Sequence, residues 1–293
     1  MNREIRKVLD NYNIPVNRIT IKSSAKIIDD KVVIKDRKNV DLDKTYKYLK
    51  SRAFDYFPEP IAIVDKYETY PYIEDTDEPR EQKAMDLMHL LSLLHGKTTF
   101  YREVDIDRNK EIYEDILMNL DYLNNYYNDL ITLIEKEIYM SPSSYLIARN
   151  INIVFESIYF SKKNIETWYK KIENNKNERV VNIHNNITLD HYIKNEKPYL
   201  ISWDRSTIDS PIYDLLSFYK NHYLELDFDD LFNYYESNYP LKEEEKILLF
   251  TYMAMPSKIE VENDEYKMCI KINKLMDYLY KTSNLIMNYH KDN

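Results

Sequence analysis

Residues 181–219, VNIHNNITLDHYIKNEKPYLISWDRSTIDSPIYDLLSFY, decide how this chain is read. Val181 to Ile183 read as a strand, and His184-Asn185-Asn186 is a polar turn directly after it. The segment from Tyr192 to Leu200 has Asn195-Glu196 at its middle and predicts a short hairpin. A Trp203-Asp204 pair follows, and then Asp209, Pro211, Asp214 and Leu215 open a helix. Polar residues concentrated in tight turns between a strand, a hairpin and a helix start point to a site rather than to a core.

The whole chain sets bounds on that site. Its 293 residues suffice for one large domain or two lobes, with 44% hydrophobic and 31% charged residues. The formal net charge of −9 excludes a general nucleic-acid or anionic-membrane binder, which needs a dense basic face. A single cysteine, Cys269, rules out an intrachain disulfide and reads as a small core residue of a helix. No apolar run approaches the ~18 residues that span a bilayer. The charged start, MNREIRKVLDNYNI, lacks the apolar stretch of a signal peptide, so a reducing, cytoplasmic setting is expected.

Glycine occurs once, at Gly96, and tyrosine 29 times. The composition is that of an AT-rich genome, as in low-GC Gram-positive bacteria. With one glycine, the chain contains neither a Walker loop nor a dinucleotide fingerprint.

Along the chain, short β runs at 18–21, 26–28 and 31–35 predict an antiparallel meander, with Asp29-Asp30 as a turn. Asp41 or Asp43 caps a helix reaching about Phe54, and strands follow at 61–64 and 69–73. The acidic stretch EDTDEPRE (74–81) reads as a solvated boundary loop, dividing a β-rich lobe over 1–75 from a helical lobe over 76–293. The second lobe opens with a helix over 81–94 that Gly96 terminates. Further helices are expected over 109–126, 129–139, 143–160, 162–172, 213–222, 228–238, 242–254 and 262–288.

These residues resemble the aminoglycoside phosphotransferase superfamily, including its choline-kinase-like and spore-coat-kinase-like members. That resemblance implies an α+β, two-lobed protein-kinase-like fold, a small antiparallel β lobe plus a larger, mostly helical lobe. In the family a strand leads to H-x-D-x-x-x-x-N, a hairpin, I-D-W-[EDG] and D-P-x-x-D-L. Here His184 matches the histidine, Asn186 falls at the catalytic aspartate, and His191 at the metal-binding asparagine. Ile201-Ser202-Trp203-Asp204 overlays I-D-W-[EDG], which puts Ser202 at the metal-binding carboxylate. Upstream, Lys35 in VVIK matches the nucleotide-binding strand lysine, and LLSLLHGKT resembles the family's L-x-x-L-H helix.

Family members use ATP with Mg²⁺, and each departure removes part of that chemistry. A base orienting the acceptor hydroxyl contributes roughly 10²–10⁴-fold, and an amide cannot take the proton. Mg²⁺ prefers oxygen ligands, so imidazole and a neutral hydroxyl hold it poorly. Weak ATP and Mg²⁺ binding at most is therefore expected, with no metal site. The expected function is a pseudokinase acting as scaffold or sensor for a protein or small-molecule partner. Asp190 and Asp204 flank the altered positions and are the candidates for rescuing activity. An active small-molecule phosphotransferase, with an acid-lined acceptor pocket, and a tyrosine-rich protein-interaction module are the alternatives.

The blander reading of each residue is structural. His184 would brace the turn, Trp203 would fill the hairpin core, and Asp214 would serve as an N-cap or a brace for the turn at 184–186. Lys35 has no obvious partner acid, with Asp41, Asp43 and Asp55 nearby in sequence.

Overall fold

The computed structural model describes residues 16–22, 25–37, 42–64 and 66–292. The N-terminal segment, the Ser23-Ser24 loop and the Asp41 cap lie outside the described residues. The chain forms two compact units, one reaching to Thr98 and taking in Asn182–Thr207, the other comprising Thr99–Val181 and the residues from Ile208 onward.

The first unit begins with five antiparallel strands, β1 (Ile19–Lys22), β2 (Ala25–Ile28), β3 (Val32–Asp36), β4 (Ala62–Val64) and β5 (Tyr67–Pro71). They line up in the order β1-β2-β3-β5-β4. Ile28, Val32, Ile34 and Tyr67 form a buried cluster. The β2–β3 turn is made by Asp29 and Asp30, both with positive φ, the primed geometry that follows strand twist. Asp29 also accepts N–H groups of Asn17 and Arg18, bonds that hold its carboxyl below the usual range.

Helix α1 (Leu42–Ser51) turns its buried Leu42, Tyr46 and Leu49 to one side. It ends on two backbone bonds, Phe54 N to Leu49 O and Ala53 N to Lys50 O, both 2.9 Å. This is the Schellman arrangement, with Ala53 in the left-handed position (φ 55°) that glycine normally fills. Helix α2 (Arg80–Thr98) corrects an expectation, because it runs through Gly96. His95 and Thr98 are fully buried in that last turn, and the Thr98 hydroxyl both donates to Leu94 O and accepts the Asn182 N–H. Those anchors outweigh the ~1 kcal/mol helical cost of one glycine.

In the second unit, β6 (Phe100–Glu103) lies antiparallel to the start of β7 (Asn177–Ile183), with an Arg102–Glu178 pair across it at 2.5 Å. Between them run α3 (Ile106–Ile134) and α4 (Pro142–Ile172). Each is one continuous helix where the sequence predicted two. Tyr127, near the expected break in α3, is fully buried, as is Ser161 at that in α4. Burial of the junction residues keeps each helix intact. Asp105 caps α3 and Ser141 caps α4, which has proline in its first turn.

The chain returns to the first unit for the hairpin of β8 (Tyr192–Lys194) and β9 (Pro198–Leu200). A further strand, β10 (Thr207–Asp209), precedes helices α5 (Ile212–His222), α6 (Phe228–Asn238), α7 (Glu243–Ala254) and α8 (Glu265–Asp292). Tyr219 of α5 sits among Phe228, Phe232 and Tyr278. Asp214 is not an N-cap: Pro211 holds that position, and Asp214 lies buried inside the first turn of α5.

The acidic stretch at 74–79 is a largely exposed loop, as the sequence suggested. It is fastened to the hairpin: Asp75 accepts the Lys194 N–H at 2.8 Å, and the Lys194 ammonium bridges Glu78 and Asp86 at 2.6 and 2.7 Å. Those two carboxylates push the Lys194 pKa upward.

Candidate functional site

Lys35, His184, Asn186, Asp190, His191, Ser202 and Asp204 all lie in the first unit. The chain leaves β7 through His184, turns at Asn185 with φ 58°, and passes Asn186 into a 3₁₀ turn at Leu189–His191. The fully buried His184 ring sits with Nε2 2.8 Å from the carbonyl oxygen of Ile201 and edge-on to Trp203 at 4.9 Å. His191 places Nδ1 2.6 Å from the Asn186 carbonyl oxygen, and its ring lies 5.9 Å from that of His184. Trp203 is buried against Phe54 and Phe57 and donates its indole N–H to Leu200 O at 2.6 Å. Trp203, after β9, therefore packs against the turn before β8.

Ser202 occupies the left-handed region, φ 69° and ψ 51°. A non-glycine residue there costs roughly 1–2 kcal/mol, so the surroundings hold the conformation. One such contact is explicit: the Lys35 ammonium donates to the Ser202 hydroxyl at 2.8 Å. Two residues 167 apart in sequence thus meet.

Lys35 on β3 stands directly across from Glu68 on β5, which places both side chains on one face of the sheet. Glu68 is buried, accepts a hydrogen bond from the Tyr70 hydroxyl at 2.8 Å, and lies 3.5 Å from Arg37. The Tyr46 hydroxyl of α1 is 3.4 Å from that of Tyr70. Burial pushes the Tyr46 pKa up to about 12; the Tyr70 hydroxyl works against that rise, while the charges of Glu68 and Asp204 add to it. Burial, together with Tyr46 and Glu68, drives Tyr70 upward as well.

The structure thus assembles an acid that sequence reading missed. Asp43 lies 4.0 Å from Arg37 and Asp55 3.5 Å from Lys197, whereas Glu68 faces Lys35. The signal was present: Glu68 is the one acid in the strand YETYP. Of the two rescue candidates, Asp204 is half-buried with its charge felt at Tyr46, while Asp190 is exposed on the 3₁₀ turn.

The donors at the motif positions are an amide, an imidazole already directed at a backbone carbonyl, and a hydroxyl that accepts from an ammonium. This set does not fit Mg²⁺, which is held through carboxylates and water in near-octahedral geometry. Among the described residues, no group of three or more His, Cys, Asp or Glu side chains is arranged to hold a metal ion.

An aminoglycoside phosphotransferase from Alicyclobacillus acidocaldarius superimposes with a TM-score of 0.70, covering 98% of this chain and 95% of that one at 8% identity. The fold is that of the aminoglycoside phosphotransferases. A spectinomycin phosphotransferase in complex with AMP matches with a TM-score of 0.54 at 14% identity, over 94% of this chain and 97% of its own. The same type of enzyme with ADP and spectinomycin gives 0.53 at 13% identity, over 97% and 98%. No family model matches the chain, and none of the curated proteins matches it in sequence. The α+β, protein-kinase-like architecture expected from the motif is thereby established. Its antiparallel sheet and its helix-rich second unit are those of the phosphotransferase fold, and among the described residues no helix is long and apolar enough to cross a membrane.

Proposed function

We propose that this protein is a pseudokinase on the aminoglycoside phosphotransferase fold, serving as a scaffold or sensor with weak or no phosphoryl transfer. One observation carries the reading: the β3 lysine reaches the metal-carboxylate position of the motif and meets the neutral hydroxyl of Ser202. Asn186 adds to it, because its side chain has no proton-accepting group at ordinary pH. Nucleotide contact, where it occurs, rests on Lys35 in this reading, and no step of a transfer reaction is assigned to the altered residues.

The second reading is an active small-molecule phosphotransferase acting on a hydroxyl. It is favoured by Asp204, half-buried two residues beyond Ser202 and electrostatically coupled to Tyr46. Radiolabelled ATP with Mg²⁺ or Mn²⁺ separates the two. A pseudokinase gives no transfer or hydrolysis above the protein-free blank; turnover that Asp204→Asn or Asp190→Asn abolishes establishes the enzyme instead.

A further inference from the structure

The second unit carries a groove of about 660 Å³ between the C-terminal half of α5, the loop after α7 and the first half of α8. Its wall is a built feature. The loop Pro256–Glu260 shares three hydrogen bonds with two tyrosines of α3. Tyr127 donates to Ser257 O at 2.7 Å and accepts from Ile259 N at 3.2 Å, while Tyr126 donates to Ile259 O at 2.5 Å. Rings of Tyr223, Tyr252 and Tyr278 line the groove, and Tyr278 is locked by donation to Met253 O at 2.8 Å.

The charge of this groove runs against the composition. The chain has 50 acids against 41 lysines and arginines, yet four lysines line the groove with one acid, Glu260. Glu262, outside the lining, neutralises Lys271. Lys258 lies over the rings of Tyr122 and Tyr126 at 5.4 and 4.9 Å. Lys220 and Lys274 have no ion pair and no side-chain hydrogen bond with any described residue. Asp277, on the same helix, makes its charge felt at Tyr223. Lys220 is open to water at the groove edge, yet enough protein crowds its ammonium that desolvation lowers its pKa.

We propose that this groove binds a small organic phosphate, with the phosphate between Lys220 and Lys274 and a flat body against the tyrosine rings. Two uncompensated ammonium groups match a dianion, and a phosphate monoester carries about two charges near pH 7. Aromatic walls add contact for a planar group at low entropic cost. The proposal is independent of the catalytic reading of the first unit, since every residue it uses lies in the second.

The test is calorimetric titration of the full chain with phenyl phosphate, inorganic phosphate and benzyl alcohol, repeated on Lys220→Met and Lys274→Met. Phenyl phosphate is expected to bind on the order of tenfold more tightly than inorganic phosphate, with benzyl alcohol undetected. Each variant weakens phenyl phosphate several-fold, and the ester protects Lys220 from amine acylation read by peptide mass spectrometry. Should Lys220→Met fail to fold, Lys274→Met and the protection measurement on the unaltered chain decide. Absence of binding at millimolar ester overturns the proposal. So does binding that leaves Lys220 unprotected or that neither substitution weakens.

Discussion

Two loops in this molecule are pinned by side chains to opposite effect. In the first unit, the turns at 184–186 and 201–203 are tied to one another: His184 meets Ile201 O, His191 meets Asn186 O, and Lys35 donates to Ser202. The His184 Nε2, the His191 Nδ1 and the Ser202 hydroxyl are each engaged within the fold. In the second unit, the loop after α7 is pinned from behind by Tyr126 and Tyr127, while Lys220 and Lys274 in front of it form no ion pair with any described residue. A polar cluster that satisfies itself rigidifies a structure, whereas one satisfied from behind leaves charge available to a ligand. The motif of this chain therefore marks a loop cross-tied by His184, His191 and Lys35, and the groove that no motif marks is the one with lysines outside any ion pair.

That contrast can be broken at several points. Trp203→Ala removes the fully buried indole on which the first loop rests and is expected to cost about 3–5 kcal/mol, measured by urea denaturation. A loss below about 1 kcal/mol would show that the turn does not depend on its aromatic support. Tyr127→Phe deletes one donor and one acceptor at the second loop and is expected to cost about 1–3 kcal/mol. An unchanged midpoint would mean the loop is held by other contacts.

A pH titration sharpens the comparison. Tyr46 ionises near pH 10 when unfolded and near pH 12 in the fold, so between those values the folded state binds more protons. Stability is thus intact below pH 10 and falls as pH rises toward 12. Tyr46→Phe should make that decline shallower in denaturation curves recorded from pH 9 to 12. An identical slope would separate Tyr46 from the Glu68–Asp204 environment. The smallest effect is a gain. Ala53→Gly relieves the left-handed Schellman position and should stabilise the chain by roughly 0.5–1 kcal/mol. A loss there would show that the fold is tuned to the alanine.

The β meander, the Asp29-Asp30 turn and the hairpin were legible in the sequence because alternation and turn residues are local signals. Gly96 misled, since the burial of His95 and Thr98 and the Asn182 N–H bonded to Thr98 belong to the tertiary fold and not to the local sequence. The expected breaks in α3 and α4 failed for a similar reason: burial of Tyr127 and Ser161 is tertiary information. In the site, the family resemblance put Lys35 and Ser202 at nucleotide- and metal-binding positions, and they meet at 2.8 Å. Glu68 was overlooked because its link to Lys35 is a strand register, which no helix pattern reveals. The lysine-lined groove gathers residues from α5, α8 and the loop after α7, with no sequence neighbourhood to announce it.

The most direct test of the central claim is a crystal structure of the protein soaked in ATP and Mg²⁺. The account predicts that the Lys35–Ser202 contact persists and that no carboxylate of this chain comes within about 2.1 Å of a Mg²⁺ ion. An Asp190 or Asp204 oxygen coordinating the metal against the phosphates would contradict it.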